Sequence, residues 1–335
     1  MRIVLEIDGI DAMVTPKFRR LDGLLMDVIR GIENIPADLR GAFVTIGNFD
    51  GVHLGHRHIF GQLVEKAGAQ GRPSVVISFD PHPKQVLHPE LRPFYLITPL
   101  EEKTRLIAET GIGTLILIPF SLEYARTTAE AFIRTVLWEK LRIGEILIGH
   151  DYTFGREKEG NATFLTEFGR QLGFAVEVMD AFQVEGQTVS STRIREAILK
   201  GEVAVAAKLL GRPYNLGGKV IPGRHRGVGL GFPTANIHPE KELLPPRGVY
   251  AVHARIEGKR FEGVVNIGFN PTFAGETLSI EVHLFDFNKD IYGMPLDVLF
   301  IERIRDEIRF ASPEALIAQI DRDIVRAREI LQGDR

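Results

Sequence analysis

Phe43-Val44-Thr45-Ile46-Gly47-Asn48-Phe49-Asp50-Gly51-Val52-His53-Leu54-Gly55-His56 is the stretch whose reading decides the fold class of the first part of the chain. Phe43 to Ile46 is a short, β-branched apolar run and reads as a buried strand. It stops at Gly47, and an amphipathic pattern begins after the glycine-rich crossing, so the stretch is a strand, a loop and the start of a helix. That is where α/β folds hold phosphates. Glycine lets the main chain approach a ligand closely, and the first helical turn offers unpaired N–H donors at the positive end of its dipole. His53 and His56 stand beside the same position. Two imidazoles there can donate hydrogen bonds to charge that develops on a transferring phosphoryl group, with no covalent intermediate. A tight turn with solvent histidines is the plain alternative. A metal cluster of His53, His56 and His58 is another, but it lacks a carboxylate at a familiar offset and leaves the glycines unexplained.

Outward from this stretch the alternation continues. Ser74 to Phe79, Thr114 to Ile118, Glu145 to Ile148 and Phe174 to Val178 read as strands, with helical spacing between them, so the expectation is a parallel sheet covered by helices. Thr98 with Glu101 and Thr127 with Glu130 fit the reciprocal capping pattern of helix starts. Beyond about Gly211 the texture changes. Runs at Leu216 to Ile221, Val249 to Ile256, Phe261 to Ile267, Leu278 to Phe287 and Leu296 to Ile301 are punctuated by Gly, Pro and Asn, which predicts a small antiparallel barrel or sandwich with a hairpin turn at Glu257-Gly258-Lys259. A last helix is expected from Ser312, with Pro313 at its first position, to about Leu331.

The 335 residues suit two domains, and 44% hydrophobic with 25% charged residues is ordinary globular composition. Zero cysteines exclude disulfides and cysteine-held zinc. Basic and acidic residues number 41 and 44, so no global basic field is available for a nucleic-acid backbone, and none is expected as a partner. The longest apolar runs, such as Thr114 to Phe120, fall far short of the ~20 residues of a spanning helix, and acidic Glu6, Asp8 and Asp11 replace the basic start of a signal peptide. A cytoplasmic protein without membrane attachment is the expectation.

The ten residues from Gly47 to His56 resemble the HxGH nucleotidylyltransferases. With Ser78-Phe79-Asp80-Pro81-His82-Pro83, Gly149 to Gly155 (GHDYTFG), Gly160-Asn161 and Ser190-Ser191-Thr192-Arg193-Ile194-Arg195, they resemble the FAD synthetase module of the bacterial bifunctional riboflavin kinase/FAD synthetases. The resemblance implies a Rossmann-like α/β nucleotidylyltransferase domain over 26–206, followed by an antiparallel β-barrel riboflavin kinase domain with a C-terminal helix over 207–335. It leaves 1–25 as an extension. It also implies ATP bound by Gly47, Phe49, Asp50, Gly51, Asp151, Ser191, Thr192 and Arg195, with Asp80 and His82 as further pocket residues. His53 and His56 would stabilise the phosphoryl group as FMN phosphate attacks the α-phosphorus of ATP.

In the second half, Gly231-Phe232-Pro233-Thr234-Ala235-Asn236 resembles the kinase module. That resemblance implies ATP at Gly231, Pro233, Thr234 and Asn236, with Thr234 and Asn236 as oxygen ligands of Mg²⁺, which suits a hard cation. On Ser279 to Phe287, alternation puts Ile280, Val282 and Leu284 on one face and Glu281, His283 and Phe285 on the other. The resemblance makes Glu281 the base for the riboflavin hydroxyl and sets Arg305 against the flavin, where an exposed salt bridge among Glu302, Arg303 and Asp306 is the alternative. Pro246 to Tyr250, Asn266 to Gly268, Asn270 to Phe273 and Ile304 to Glu307 extend the agreement. The chain departs from the pattern at Val228, where an Arg or Lys is usual. That departure favours, as a second reading, a nucleotidylyltransferase with a silent kinase or another acceptor. A binding protein without turnover is a third, and it has no use for His53, His56 and Glu281 at once.

Overall fold

In the computed structural model of the protein, residues 26–91, 94–222, 231–272 and 275–333 are described. The expectations for 1–25, for the loop from Gly223 to Leu230 that contains Val228, and for Phe273 lie outside them. The described residues form two compact units. One takes in residues up to Phe49, with Arg57–Glu90 and Leu100–Asp180; the other takes in Asp50–His56, Leu91–Pro99 and residues from Ala181 onward.

The first unit is built on six parallel strands: β1 (Asp27–Arg30), β2 (Phe43–Ile46), β3 (Ser74–Asp80), β4 (Thr114–Pro119), β5 (Glu145–Gly149) and β6 (Ala175–Met179). Their order is β1-β4-β3-β2-β5-β6. All of β2 is buried, as expected for a strand covered on both faces. The helices are α1 (Leu54–Ala69), α2 (Pro83–Leu87), α3 (Leu100–Ala108), α4 (Ala129–Phe132) and α5 (Ala162–Leu172). Helix α4 continues as a π-helical stretch over Ile133–Lys140. Val44, Ile46, Val75, Ile77, Ile116, Ile146 and Ile148 close a core with Ile133, Leu137 and Leu165. From β2 the chain winds outward through β3 and β4, then returns to place β5 on the other side of β2. The strand order therefore reverses between β2 and β5, and the carboxyl ends of these two strands are the usual ligand position of such sheets.

The expected caps shift. Thr128, not Thr127, caps α4 by accepting from the Ala131 N–H at 3.1 Å. Thr98 is buried, and its hydroxyl serves Gly51 and Asp50 in place of a helix start. Strand β1 went unforeseen because its apolar centre, Val28-Ile29, is flanked by charged Asp27 and Arg30.

From Ala181 onward the second unit has a hairpin of β7 (Gln183–Val184) and β8 (Gln187–Thr188), followed by α6 (Ser191–Lys200) and α7 (Val203–Leu210). A closed barrel of β9 (Tyr214–Ile221), β10 (Ala235–Pro239), β11 (Gly248–Ile256), β12 (Lys259–Thr272), β13 (Gly275–Leu284) and β14 (Pro295–Arg305) follows, in the order β10-β13-β12-β11-β14-β9. The β11/β12 turn falls at Glu257 and Gly258, both at positive φ (48° and 77°), as a tight hairpin requires. The barrel is filled by Leu216, Tyr250, Val252, Val265, Ile280, Val282, Val298 and Phe300. The final helix, α8 (Pro313–Gln332), is capped by Ser312 and lays Ala327 and Leu331 on Val249, Ala251, Val264 and Phe285 of the outer wall. β13 ends at Leu284, short of the expected Phe287, and the chain takes a positive φ at Asp286.

Candidate active sites

Gly47 leaves β2 at the carboxyl end of the sheet. A side chain there would meet the Phe49 ring at 2.9 Å, so the glycine is required for the turn. Ser78 Oγ at 3.3 Å and the Lys103 ammonium at 3.3 Å both donate to the Asn48 carbonyl. Lys103 also donates to Ser78 Oγ at 3.1 Å, so it ties the ends of β2 and β3 beneath the loop. Phe49 is buried, takes φ +49° and packs edge-on to Phe60. Asp151 is exposed in the turn after β5, the strand next to β2. Asp80 pairs with Arg30 at 3.1 Å, and His82 caps α2 by accepting from the Lys84 N–H, so both have local structural duties.

The loop then passes through Gly51 (φ +90°) and Val52 (φ +39°). A β-branched residue in that region is strained, by about 1–3 kcal/mol, and surrounding contacts must hold it there. His53 follows at the N-cap of α1. It is 5% exposed, and its Nδ1 accepts from the His56 N–H at 3.3 Å. An accepting Nδ1 puts the ring proton on Nε2, so neutral His53 is a hydrogen-bond donor on its outer edge. The two imidazoles stack at 3.5 Å with 19° between planes. Gly55 makes room for this, because a Cβ there would lie 3.3 Å from the His53 ring. Burial first, and then the Arg212 charge, pull the His53 pKa down to about 4 against the opposing pull of Asp50. The residue is therefore neutral at physiological pH.

Asp50 is the pin of the loop. Its buried carboxylate accepts from the Ile97 N–H (3.0 Å), the Thr98 N–H (3.1 Å) and Arg195 Nη2 (2.7 Å). Arg195 also donates through Nε to the Tyr95 carbonyl at 2.7 Å and lies over the Phe94 ring. At the start of α6, Ser190 caps the helix and Ser191 Oγ donates to the Asp50 carbonyl at 2.8 Å. His53, His56, Asp50, Ser191 and Arg195 thus belong to one neighbourhood, with Thr192 in the same first turn.

The second site lies on the barrel wall. Asn236 of β10 and Glu281 of β13 are directly opposed in the ladder, so their side chains emerge on the same face, as Ile280 and Val282 point into the barrel. Ser279 Oγ donates to Glu281 Oε1 at 2.8 Å and lies 3.4 Å from Asn236 Oδ1. Half-buried Thr234 precedes β10, and His283 donates through Nδ1 to the Pro233 carbonyl at 2.9 Å. Exposed Gly231 takes φ +88°. Among the described residues the site presents hydroxyl, amide and carboxylate oxygens, with His283 beside them.

Comparison with known proteins bears on these readings. A family model described as FAD synthetase matches residues 35–193, and one described as riboflavin kinase matches residues 210–331. The bifunctional riboflavin kinase/FMN adenylyltransferase of Haemophilus influenzae is 38% identical over 304 residues, 90% of this chain and 98% of its own; that of Escherichia coli K12 is 39% identical over 306 residues, 91% and 97% of the two chains. The chain belongs to the bifunctional riboflavin kinase/FAD synthetase family. A crystal structure described as a macrolide-efflux protein from Streptococcus pneumoniae superposes with a TM-score of 0.82 at 35% identity, covering 90% of this chain and 98% of that one. Among the described residues no helix is long and apolar enough to cross a membrane.

Within this family frame the chain is an enzyme with a riboflavin kinase half and an FMN adenylyltransferase half that use ATP. Several residues of the two sites carried no signal in the sequence that pointed to a site. Thr98, Lys103, Arg212 and Ser279 act through contacts with segments far away in the chain or across a ladder, which no spacing rule reports. Arg305 is placed at the end of β14, where Nε and Nη2 grip Asp323 of α8 at 2.7–3.0 Å, and Gln319 supports the same carboxylate. Its partner is therefore Asp323, while Asp306 pairs with Arg303. Nη1 donates to the Asp306 carbonyl at 2.9 Å and the guanidinium lies over the Phe310 ring, so one N–H on each Nη and the opposite face are what Arg305 has left for a further partner.

Proposed function

We propose that the kinase chemistry is carried by Glu281, Thr234 and Asn236, and the adenylyl transfer by His53 and His56, within segments 207–335 and 26–206 respectively. Glu281 takes the proton of the riboflavin 5′-hydroxyl as its oxygen bonds to the γ-phosphorus of ATP and the bond to ADP breaks. The FMN so formed needs no such base. Its phosphate is largely ionised at neutral pH, and one of its oxygens bonds to the α-phosphorus of ATP as pyrophosphate leaves. His53 donates Nε2–H to the charge that builds on the transferring group, and the stacked His56 shares that duty. Ser191, Thr192 and the first turn of α6 supply further donors to the nucleotide, with Gly51 beside them and Asp50 and Arg195 fixing the loop; Gly47, Phe49 and Asp151 are assigned to ATP by the family resemblance. Gly231 and Pro233 shape the kinase nucleotide loop, and Arg305 borders the flavin.

The donor set on the barrel fits Mg²⁺. Thr234 and Asn236 offer neutral hard oxygens beside Glu281, which suits a cation that arrives on ATP phosphates better than one caged by protein. When bound, the cation neutralises phosphate charge. The work belongs in the cytoplasm, where ATP is at hand.

The observation that carries this reading is the Nδ1 acceptor bond of His53, which leaves a neutral donor at the end of a strained phosphate-type loop. Incubation of the full chain with riboflavin, ATP and Mg²⁺, with flavins separated over time, tests it. FMN followed by FAD is expected. His53→Gln should accumulate FMN, and Glu281→Gln should make FAD only from added FMN. FAD formation by His53→Gln at the normal rate would sink the assignment. A chain that turns over FMN but never riboflavin would instead support the silent kinase suggested by Val228.

A further inference from the structure

Arg212 lies outside both motif sets, in Gly211-Arg212-Pro213 between α7 and β9. Its guanidinium donates through Nη2 to the Gly51 carbonyl at 2.8 Å and through Nη1 to the Val52 carbonyl at 3.3 Å. These carbonyls belong to the positive-φ residues that lead into His53. Carbonyls in such a stretch enter neither helix nor sheet, so they need a donor from elsewhere, and a charged planar fork that spans two of them also fixes their relative direction. The neighbour supports the same grip. Gly211 ends α7 at φ +73°, and a side chain there would lie 2.4 Å from Leu54 Cδ2, so Leu54, at the head of α1, sits directly against the Gly211 main chain. Gly211 and Arg212 thus hold the chain on either side of His53.

We propose that Arg212 is a positioning residue for adenylyl transfer: it clamps the Gly51-Val52 main chain so that His53 is presented to the transferring phosphoryl group. The proposal rests on the role of His53 argued above. It assigns to FAD synthesis a residue from the part of the chain that the riboflavin kinase model matches. Proximity adds an electrostatic consequence. The charged and titratable groups facing His53 are Asp50 and Arg212, with His56 stacked on it and Arg195 paired to Asp50. Among them Arg212 opposes protonation of the imidazole, so its removal frees His53 to bind a proton at higher pH.

The test uses full-length Arg212→Met, Arg212→Lys and His53→Gln. In Arg212→Met, kcat for FAD formation from FMN should fall about 10- to 100-fold, the scale of a misplaced catalytic group. KM for ATP and FMN should stay within about twofold of normal on the same ground, and the rate of FMN formation from riboflavin should be unchanged, which also reports an intact fold. The His53 resonance, assigned by its loss in His53→Gln, should titrate closer to the ordinary histidine range. Arg212→Lys keeps the charge and loses the fork, so it should recover part of kcat and keep the low titration. Normal FAD synthesis by Arg212→Met, while His53→Gln is inactive, would overturn the proposal alone. Normal FAD synthesis by His53→Gln would overturn the reading of His53 beneath it. Equal losses of both activities in Arg212→Met and Arg212→Lys would make Arg212 a folding residue and overturn the proposal as well.

Discussion

Arg195 reaches Asp50 across 145 positions of sequence and closes on it at 2.7 Å, with the carboxylate 3% and the guanidinium 14% exposed. The pair joins the start of α6 to the loop that carries His53, and the Ile97 and Thr98 N–H groups complete the shell around the carboxylate. Two charges so buried are tolerable because they pair with each other and the carboxylate is further satisfied by main-chain donors.

Removing one partner strands the other. Asp50→Ala or Arg195→Met should therefore destabilise the fold by about 3–5 kcal/mol, whereas the double variant should cost less than the sum. Denaturant unfolding of the four proteins in the cycle measures this. Additive losses would show that the two side chains act independently.

The buried imidazole of His53 gives a pH prediction with a definite sign. Its folded pKa of about 4 lies below the ordinary value of 6.5, so the unfolded chain takes up the proton first. Above pH 6.5 the group costs nothing; stability is lost as pH falls from there toward 4, by on the order of 3 kcal/mol in total. His53→Gln removes this component. The stability gap between the two proteins, followed by denaturant unfolding between pH 7.5 and 4.5 (about the span of that shift), should narrow or reverse on the acid side. A constant gap would mean that His53 is not buried in solution.

Much of this arrangement is legible in the sequence, and the part that is not has a common cause. Strands such as Ser74 to Phe79 and Val249 to Ile256 announce themselves because apolar β-branched runs must be buried and glycines or prolines must end them. The phosphate-type loop is legible because Gly47, Gly51 and Gly55 recur between a strand run and a helix pattern with His53 and His56 among them. Strand β10 is not legible. Ala235-Asn236-Ile237-His238-Pro239 looks like a turn, and it is a strand because β9 and β13 flank it in the closed barrel. Thr98 carries a helix-start signal that tertiary structure overrides, since its hydroxyl is needed by Gly51. Asp323 reads as one more acid on an amphipathic helix, although it is buried under Arg305.

On the barrel wall, Glu281 accepts from Ser279 and faces Asn236, which holds its carboxylate in one direction. Glu281→Gln keeps the shape and removes the proton acceptor. FMN formation should fall by about 10²–10⁴-fold in kcat, with riboflavin KM little changed and FAD formation from added FMN intact. Ser279→Ala should cost less and act through the orientation of Glu281. Product chromatography with each substrate supplied separately checks both, and a kinase untouched by Glu281→Gln would place the base elsewhere.

Arg305 and Asp323 pose the last question, whether the pair is a staple or also a flavin contact. The bidentate bond ties the end of β14 to α8 and buries Asp323 to 5% exposure. A pure staple predicts that Asp323→Ala and Arg305→Met lose similar stability, about 3–5 kcal/mol, and similar affinity for riboflavin, since either change frees the same two elements. A guanidinium whose face also meets an aromatic ring system predicts a difference. Such stacking contributes about 1 kcal/mol, so riboflavin KM should rise about fivefold more in Arg305→Met than in Asp323→Ala. Arg305→Lys separates the terms further, because lysine retains the charge toward Asp323 and loses the flat face. We expect Arg305→Lys to resemble Arg305→Met in KM and the normal protein in stability. Kinase kinetics at saturating ATP, set beside unfolding curves for the same variants, decide it; equal KM values across the three variants would leave Arg305 a staple alone.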